Sequence, residues 1–220
     1  MPRGRAAPSR TIDTPDDIAE GLAWLARRDP RLKAVIAAAG VLPLRRRPGG
    51  LPGLLRIVIG QQLSVASANA IWSRLELAFP EMSADSIHRA RVARLKKAGL
   101  SGAKIRTLRA IAVAVHNGLD LDALAHAPPE AAHATLTAIH GIGGWTADIY
   151  LMFCLGHPDV FPAGDLALRN AVGQAFDLEL PVAPATIAGI AEAWSPWRTV
   201  AATLFWAYYA AIKARKAVPV

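Results

Sequence analysis

Residues 135–153 read TLTAIHGIGGWTADIYLMF, an apolar stretch at helical spacing that carries three glycines in four positions, Gly141, Gly143 and Gly144. Each glycine inside a helix costs about 0.5–1 kcal/mol relative to alanine, so packing alone does not explain all three. The stretch reads as helix, tight glycine turn, helix. At the start of the second helix such a turn exposes successive backbone N–H groups, which with the helix dipole make a site for an anion. Missing Cβ atoms let a phosphodiester backbone come close. Taken alone, the pattern fits an ordinary pair of antiparallel helices equally well.

Working outward, residues 94–112, RLKKAGLSGAKIRTLRAIA, repeat the same layout, and this echo points to two related hairpins. Residues 51–79 are long and apolar, with Leu55, Val58, Ile59 and Leu63 on one face, which predicts one or two helices. Thr14 or Asp16 caps a further helix, with Pro15 in its first turn and Ile18, Leu22 and Leu25 at helical spacing. LPLRRRPGG at 42–50 is a basic loop. Two-residue alternation is nowhere sustained, so the expected fold class is all-α. Residues 1–13 predict a disordered basic tail, which leaves 14–220 as the helical domain.

With 220 residues and 53% hydrophobic content the chain has enough apolar material for a buried core. Its 25 Lys and Arg against 17 Asp and Glu give a formal charge of +8, so a polyanion is the first partner to consider. Cys154 is the only cysteine, which excludes an intramolecular disulfide and a cysteine set for an iron–sulfur cluster or zinc knuckle. His126, His133 and His140 recur every seven residues, but Pro128 and Pro129 interrupt any single helical face, and no transition metal is expected. The basic start MPRGRAAPSR is followed by TIDTPDDIAE, not by the apolar run of a secretory signal. The apolar run between Arg198 and Lys213 is too short to span a bilayer and contains Thr203, Tyr208 and Tyr209. A cytoplasmic protein with no membrane partner is expected.

Directly after the hairpin comes GHPDVFPAGDLALRNAV at 156–172, with Pro162, Gly164 and Asp165. Together the two segments resemble the helix-hairpin-helix DNA glycosylase superfamily, named for that hairpin and for a Gly/Pro-rich loop ending in aspartate. IVIGQQLSVASANAIW at 57–72 resembles the family's helix that approaches the lesion, and WSPWRTVAATLFWAYY at 194–209 its C-terminal helix. The four blocks stand in the family's order and cover roughly residues 51–210. GWTA and DLALR are similar to the alkylpurine branch, the DNA-3-methyladenine glycosylase II type, in its compact all-helical form. The resemblance implies the helix-hairpin-helix glycosylase fold, two small helical subdomains with the active-site cleft between them. It places the hairpin at 135–153 and the catalytic loop at 156–170.

The implied reaction is hydrolysis of the N-glycosidic bond of 3-methyladenine or 7-methylguanine in double-stranded damaged DNA, after the base has been flipped out. That cleavage builds positive charge on the deoxyribose, which a fixed carboxylate stabilises. Asp165 stands at the family's catalytic position, and it is equally a good N-cap for the helix that DLALRNAV begins. The two roles are compatible, since a helix N-terminus favours the anion. Bifunctional relatives carry a Schiff-base lysine where this chain has Trp145, so no strand cleavage is expected. Trp145 and Trp206 match pocket aromatics that face a cationic base, with core packing as their other reading. Tyr150 stands beside Ile149, which occupies the position where relatives carry a tyrosine, and it joins the pocket set.

Gln62 matches the side chain that fills the gap left by the flipped base, with Gln61 and Leu63 beside it. Gly141, Gly143, Gly144 and Thr146 are the expected hairpin contacts to DNA. Arg56, Lys104, Arg106 and Arg45 to Arg47 are candidate phosphate contacts, or simply solvated charge. The resemblance also implies a structural Na+ or K+ on the backbone carbonyls of Thr137, Ile139 and Gly141, and no required cofactor. A nucleoid-associated monomer is the expected state. Two other readings remain open at this stage. One is a glycosylase for deaminated or etheno-modified purines, and the other a non-catalytic helix-hairpin-helix module that grips DNA phosphates.

Overall fold

The computed structural model describes residues 11–216, with side chains as far as residue 214, and all regular structure among the described residues is helical. α1 (Pro15–Arg28) and α2 (Leu32–Ala39) belong to a first unit, which the chain leaves after Arg46 and re-enters at Gly156. The second unit, Arg47–Leu155, contains α3 (Gly50–Gly60), α4 (Val65–Ala78), α5 (Ala84–His88), α6 (Val92–Lys97) and α7 (Gly102–His116). It closes with α8 (Pro129–Thr137) and α9 (Gly144–Ile149), which runs on as a π-helical turn, Tyr150–Cys154. Back in the first unit are α10 (Leu166–Ala175), α11 (Pro184–Ala191) and α12 (Arg198–Lys216).

In the first unit, α1 begins with a capping box. Thr14 Oγ1 accepts from the Asp17 N–H and the Asp17 carboxylate accepts from the Thr14 N–H, with Pro15 at the first helical position. Up to residue 10 the expected tail lies outside the described residues. Its last three residues correct that expectation: Ile12 is buried and its N–H donates to the Gly156 carbonyl at 2.8 Å, while Asp13 accepts from Arg46 Nε at 2.9 Å.

The centre of this unit is Trp194, fully buried, with the Phe205, Phe161 and Phe176 rings at 5.1, 5.5 and 6.2 Å. Its indole N–H donates to Asp29 Oδ2 at 3.1 Å, and Asp29 also accepts the Arg31 fork at 2.8 and 2.7 Å. The Arg31 hydrogen bond, aided by Trp194, holds the Asp29 carboxyl below its ordinary value although burial opposes it. A lowered folded-state pKa stabilises the fold above the ordinary carboxylate range, and that stabilisation is lost as pH falls through the folded value. Asp29→Ala is expected to cost roughly 1–3 kcal/mol at neutral pH, chiefly by stranding the buried Trp194 N–H. The gap between the melting curves of the two proteins should narrow as pH drops below about 4, as the part due to the charged Arg31 pair is lost, while the part due to the Trp194 N–H remains. A constant gap down to about pH 2 would assign the whole effect to the Trp194 bond and packing.

In the second unit Leu54, Leu55, Ile59, Leu75, Ile87, Leu95 and Leu108 are fully buried. The apolar stretch 51–79 splits into α3 and α4 at residues 61–64, where Ser64 Oγ caps α4 by accepting from the Ser67 N–H at 3.2 Å. Both hairpins expected from the sequence echo are present, α6 to α7 and α8 to α9. Each turns on a glycine in the left-handed region, Gly99 at φ +101° and Gly141 at φ +85°.

Candidate functional site

The second hairpin separates its glycines by what the fold requires of them. A Cβ on Gly141 would lie 1.9 Å from Thr107 Oγ1, so α7 itself demands a glycine there. Gly143 is the N-cap of α9 in extended conformation, no side chain caps the helix, and a Cβ on it would meet nothing within 4 Å. A Cβ on Gly144 would make ordinary contact with His133 at 3.4 Å. The fold therefore leaves Gly143 and Gly144 open to solvent at the positive end of α9, where first-turn amides lack intrahelical partners. Trp145 follows at 44% exposure, and His133 Nε2 lies 3.5 Å from the Asp148 carboxylate. Thr137 Oγ1 bends back to donate to the His133 carbonyl at 2.9 Å, and the Ile139 carbonyl accepts the Ile142 N–H at 3.0 Å.

Thr146, expected among the DNA contacts, requires a correction as far as its side chain goes. The residue is buried and its hydroxyl accepts from Gln61 Nε2 at 2.7 Å, so the side chain is turned into the second unit and away from a phosphate. Gln61 is thereby turned toward α9, while Gln62 and the half-exposed Leu63 remain at the surface. Gln62 has φ +56°, a left-handed conformation that a non-glycine residue holds only when its surroundings enforce it. Among the basic residues, Lys104 points inward, donating to the Ile59 and Gln61 carbonyls at 2.6 and 3.0 Å, and desolvation pushes its pKa down. Arg56 lies over the Trp72 ring and donates to Asn69, and Arg47 lies over Phe153. Arg45 and Arg106 are exposed.

Tyr150 does not line a pocket. It is fully buried in the second unit, its hydroxyl donates to the Gly50 carbonyl at 3.2 Å, and burial pushes its pKa far up. Tyr150 adjoins position 149, and successive residues of a helix face different ways; Tyr150, Leu151, Met152, Phe153 and Cys154 form a π-helical turn in which all five are buried.

In the first unit Asp165 is the N-cap of α10, so the loop expected to run to 170 ends at 165. Its Oδ1 accepts two bonds, from the Leu168 N–H at 3.0 Å and from the Trp206 indole N–H at 3.2 Å. The loop before it is pinned through buried Asp159, which takes Arg198 at 2.6 and 3.0 Å and Ser195 Oγ at 2.8 Å. The sequence reading brought forward neither Asn170 nor Tyr209. Asn170 Nδ2 lies 3.5 Å from the Tyr209 hydroxyl, and Lys213 Nζ lies 4.6 Å from the centre of the Tyr209 ring. The helical spacing of Trp206, Tyr209 and Lys213 along one face of α12 was the available signal. Among the described residues no group of three or more His, Cys, Asp or Glu side chains is placed to hold a metal ion, and no helix is long and apolar enough to cross a membrane.

An all-helical chain with a glycine-turned hairpin and, in the next loop, an aspartate fixed at a helix head has the features of the helix-hairpin-helix DNA repair class. The chain belongs to the HhH-GPD superfamily of base excision DNA repair proteins, whose family model matches residues 55–195. It is 34% identical to DNA-3-methyladenine glycosylase 1 of Schizosaccharomyces pombe, over 70% of this chain and 69% of that one. The crystal structure of a DNA-3-methyladenine glycosidase from Bacillus halodurans matches with a TM-score of 0.79 and 29% identity, covering 93% of this chain and 94% of that one. A 3-methyladenine DNA glycosylase of S. pombe in complex with abasic DNA matches with a TM-score of 0.73 and 28% identity, covering 85% and 95%.

Proposed function

We propose that this chain excises alkylated purines, 3-methyladenine and 7-methylguanine, from double-stranded DNA by hydrolysis of the N-glycosidic bond. The observation that carries the reading is Asp165, whose carboxylate is held in one orientation by the Leu168 N–H and by an electron-rich indole. As the bond to the base breaks, positive charge grows on the sugar, and a pre-oriented carboxylate lowers the energy of that state without having to reorganise. The same group can orient the attacking water. Trp206, hydrogen-bonded to Asp165, offers a ring face to a purine made cationic by alkylation.

Where a bifunctional enzyme would carry its amine, Trp145 supplies none, so the product is an intact strand with an abasic site. The open amides at Gly143 and Gly144 take a backbone phosphate, and Gln62 with Leu63 fills the space left by the base. The carbonyls of Thr137, Ile139 and Gly141, at the end of α8 and in the turn after it, would supply the oxygen ligands that Na+ or K+ takes. No redox or nucleotide cofactor is needed. The enzyme works as a monomer on chromosomal DNA, in the nucleoid-bearing cytoplasm.

A duplex with one 7-methylguanine tests the reading. After incubation with the protein, mild alkali is expected to break the strand at the lesion far beyond what the same alkali does to 7-methylguanine without protein, while a sample given no alkali stays whole. Breakage without alkali would give the protein a lyase step, and none beyond that background in either sample would remove 7-methylguanine from its substrates. Gly143→Val is expected to weaken binding to every DNA sequence about tenfold, as for one lost phosphate contact, without unfolding the protein. Unchanged anisotropy titrations at moderate salt would sink that contact.

A further inference from the structure

The turn between α3 and α4 is held from two sides, and one of the struts is a lysine that a surface reading gives to DNA. α3 ends at Gly60, where its last carbonyls have no helical partner. Lys104 Nζ, from the first turn of α7, donates to two carbonyls there, Ile59 at 2.6 Å and Gln61 at 3.0 Å. A cation on the carbonyls that close a helix is placed where the dipole favours it. The root of this lysine is itself fixed, because its N–H donates to the α7 cap Ser101 Oγ at 3.3 Å. From the other side Gln61 Nε2 reaches Thr146 Oγ1 of α9 at 2.7 Å. Between the struts Gln62 keeps its left-handed φ of +56° and Leu63 stands 40% exposed.

We propose that Lys104 is a positioning residue that keeps the turn at residues 61–64 pre-formed, so that Gln62 and Leu63 enter the base stack without first being ordered. This rests on the glycosylase reading and on the role given to that turn. A lysine on phosphate and a lysine on carbonyls leave different traces. Loss of a phosphate contact weakens binding to all DNA and lowers the salt slope by about one. Loss of a strut instead slows extrusion of a stacked base and leaves phosphate binding alone.

The test compares wild type, Lys104→Met and Lys104→Arg on 7-methylguanine in a fully paired duplex and in a single-nucleotide bulge, where the base is already loose. Single-turnover release, the salt dependence of binding and the fluorescence of 2-aminopurine at the target position are measured together. Lys104→Met is expected to slow release from the paired duplex about tenfold, as for one charge-assisted hydrogen bond, with the bulged substrate and the salt slope little changed. Lys104→Arg, which keeps a donor, should restore much of the rate. Equal slowing on both substrates with a shallower salt slope would overturn the proposal in favour of a phosphate contact, and so would an unchanged rate on the paired duplex. If the methionine variant does not fold, Thr146→Val removes the opposite strut and should show the same substrate dependence; an equal effect on both substrates would again overturn it. Should wild type release no base at all, the glycosylase reading falls, and the 2-aminopurine signal then judges Lys104 by itself. Equal unstacking by wild type and Lys104→Met would overturn the role.

Discussion

Asp165→Asn is expected to slow base release by roughly 10²–10³-fold while the melting temperature stays within a few degrees of wild type. Asparagine caps a helix about as well as aspartate, and its carbonyl oxygen can accept the same two bonds that Oδ1 accepts now, from the Leu168 N–H and the Trp206 indole. What the substitution removes is the negative charge, which in the proposed mechanism stands beside the place where sugar charge develops. Single-turnover release from methylated duplex, with melting curves and DNA affinity recorded on the same preparations, separates the two roles of this residue. Equal rates would make Asp165 a cap and nothing more. A parallel fall in stability and rate would return the effect to the fold.

Gly141→Ala acts on the opposite side of that division, through structure first. The new Cβ would lie 1.9 Å from Thr107 Oγ1 and 2.9 Å from its Cβ and Cγ2, on a residue that is itself buried. It would also force alanine to φ +85°. The left-handed conformation costs about 1–2 kcal/mol and overpacking roughly 1–3 kcal/mol more, for a total of roughly 2–5 kcal/mol. For a chain of this size that is a fall in Tm of about 5–15 °C, read by circular dichroism. Adding Thr107→Ala should recover the part due to overlap and leave the part due to φ, so the double variant separates the two terms. An unshifted Tm for Gly141→Ala would show that the hairpin relaxes at no cost. Gly143→Val, two residues on, is expected to spare stability and lose DNA. On the proposed function the same residue type serves the fold at one position and the partner at the other.

That contrast also marks how far the sequence could be read. GIGG followed by tryptophan was legible as a hairpin because nothing else explains so many glycines inside an apolar helical pattern. The capping position of Asp165 was legible because cap chemistry is local, as was the echo at Gly99. Thr107 under Gly141 was not, since the two are brought together by the packing of α7 and not by any spacing along the chain. Tyr150 was drawn in because it adjoins position 149, where relatives carry a tyrosine, but neighbours along a helix do not share a face, and Tyr150 is fully buried with its hydroxyl on the Gly50 carbonyl. Lys104 was misread because a lysine stem can follow a surface outward or reach inward to open carbonyls. Its partners, Ile59 and Gln61, lie far off in sequence, at the end of another helix. Local chemistry was therefore readable from the residues, whereas the partner of a long polar side chain was not.

The most direct measurement of the central claim is mass spectrometry of the free bases released from dimethyl sulfate-treated duplex DNA. The wild-type chain is expected to release 3-methyladenine and 7-methylguanine, far above the spontaneous background and with the strands left uncut. A folded, DNA-binding protein that releases neither base would contradict the assignment.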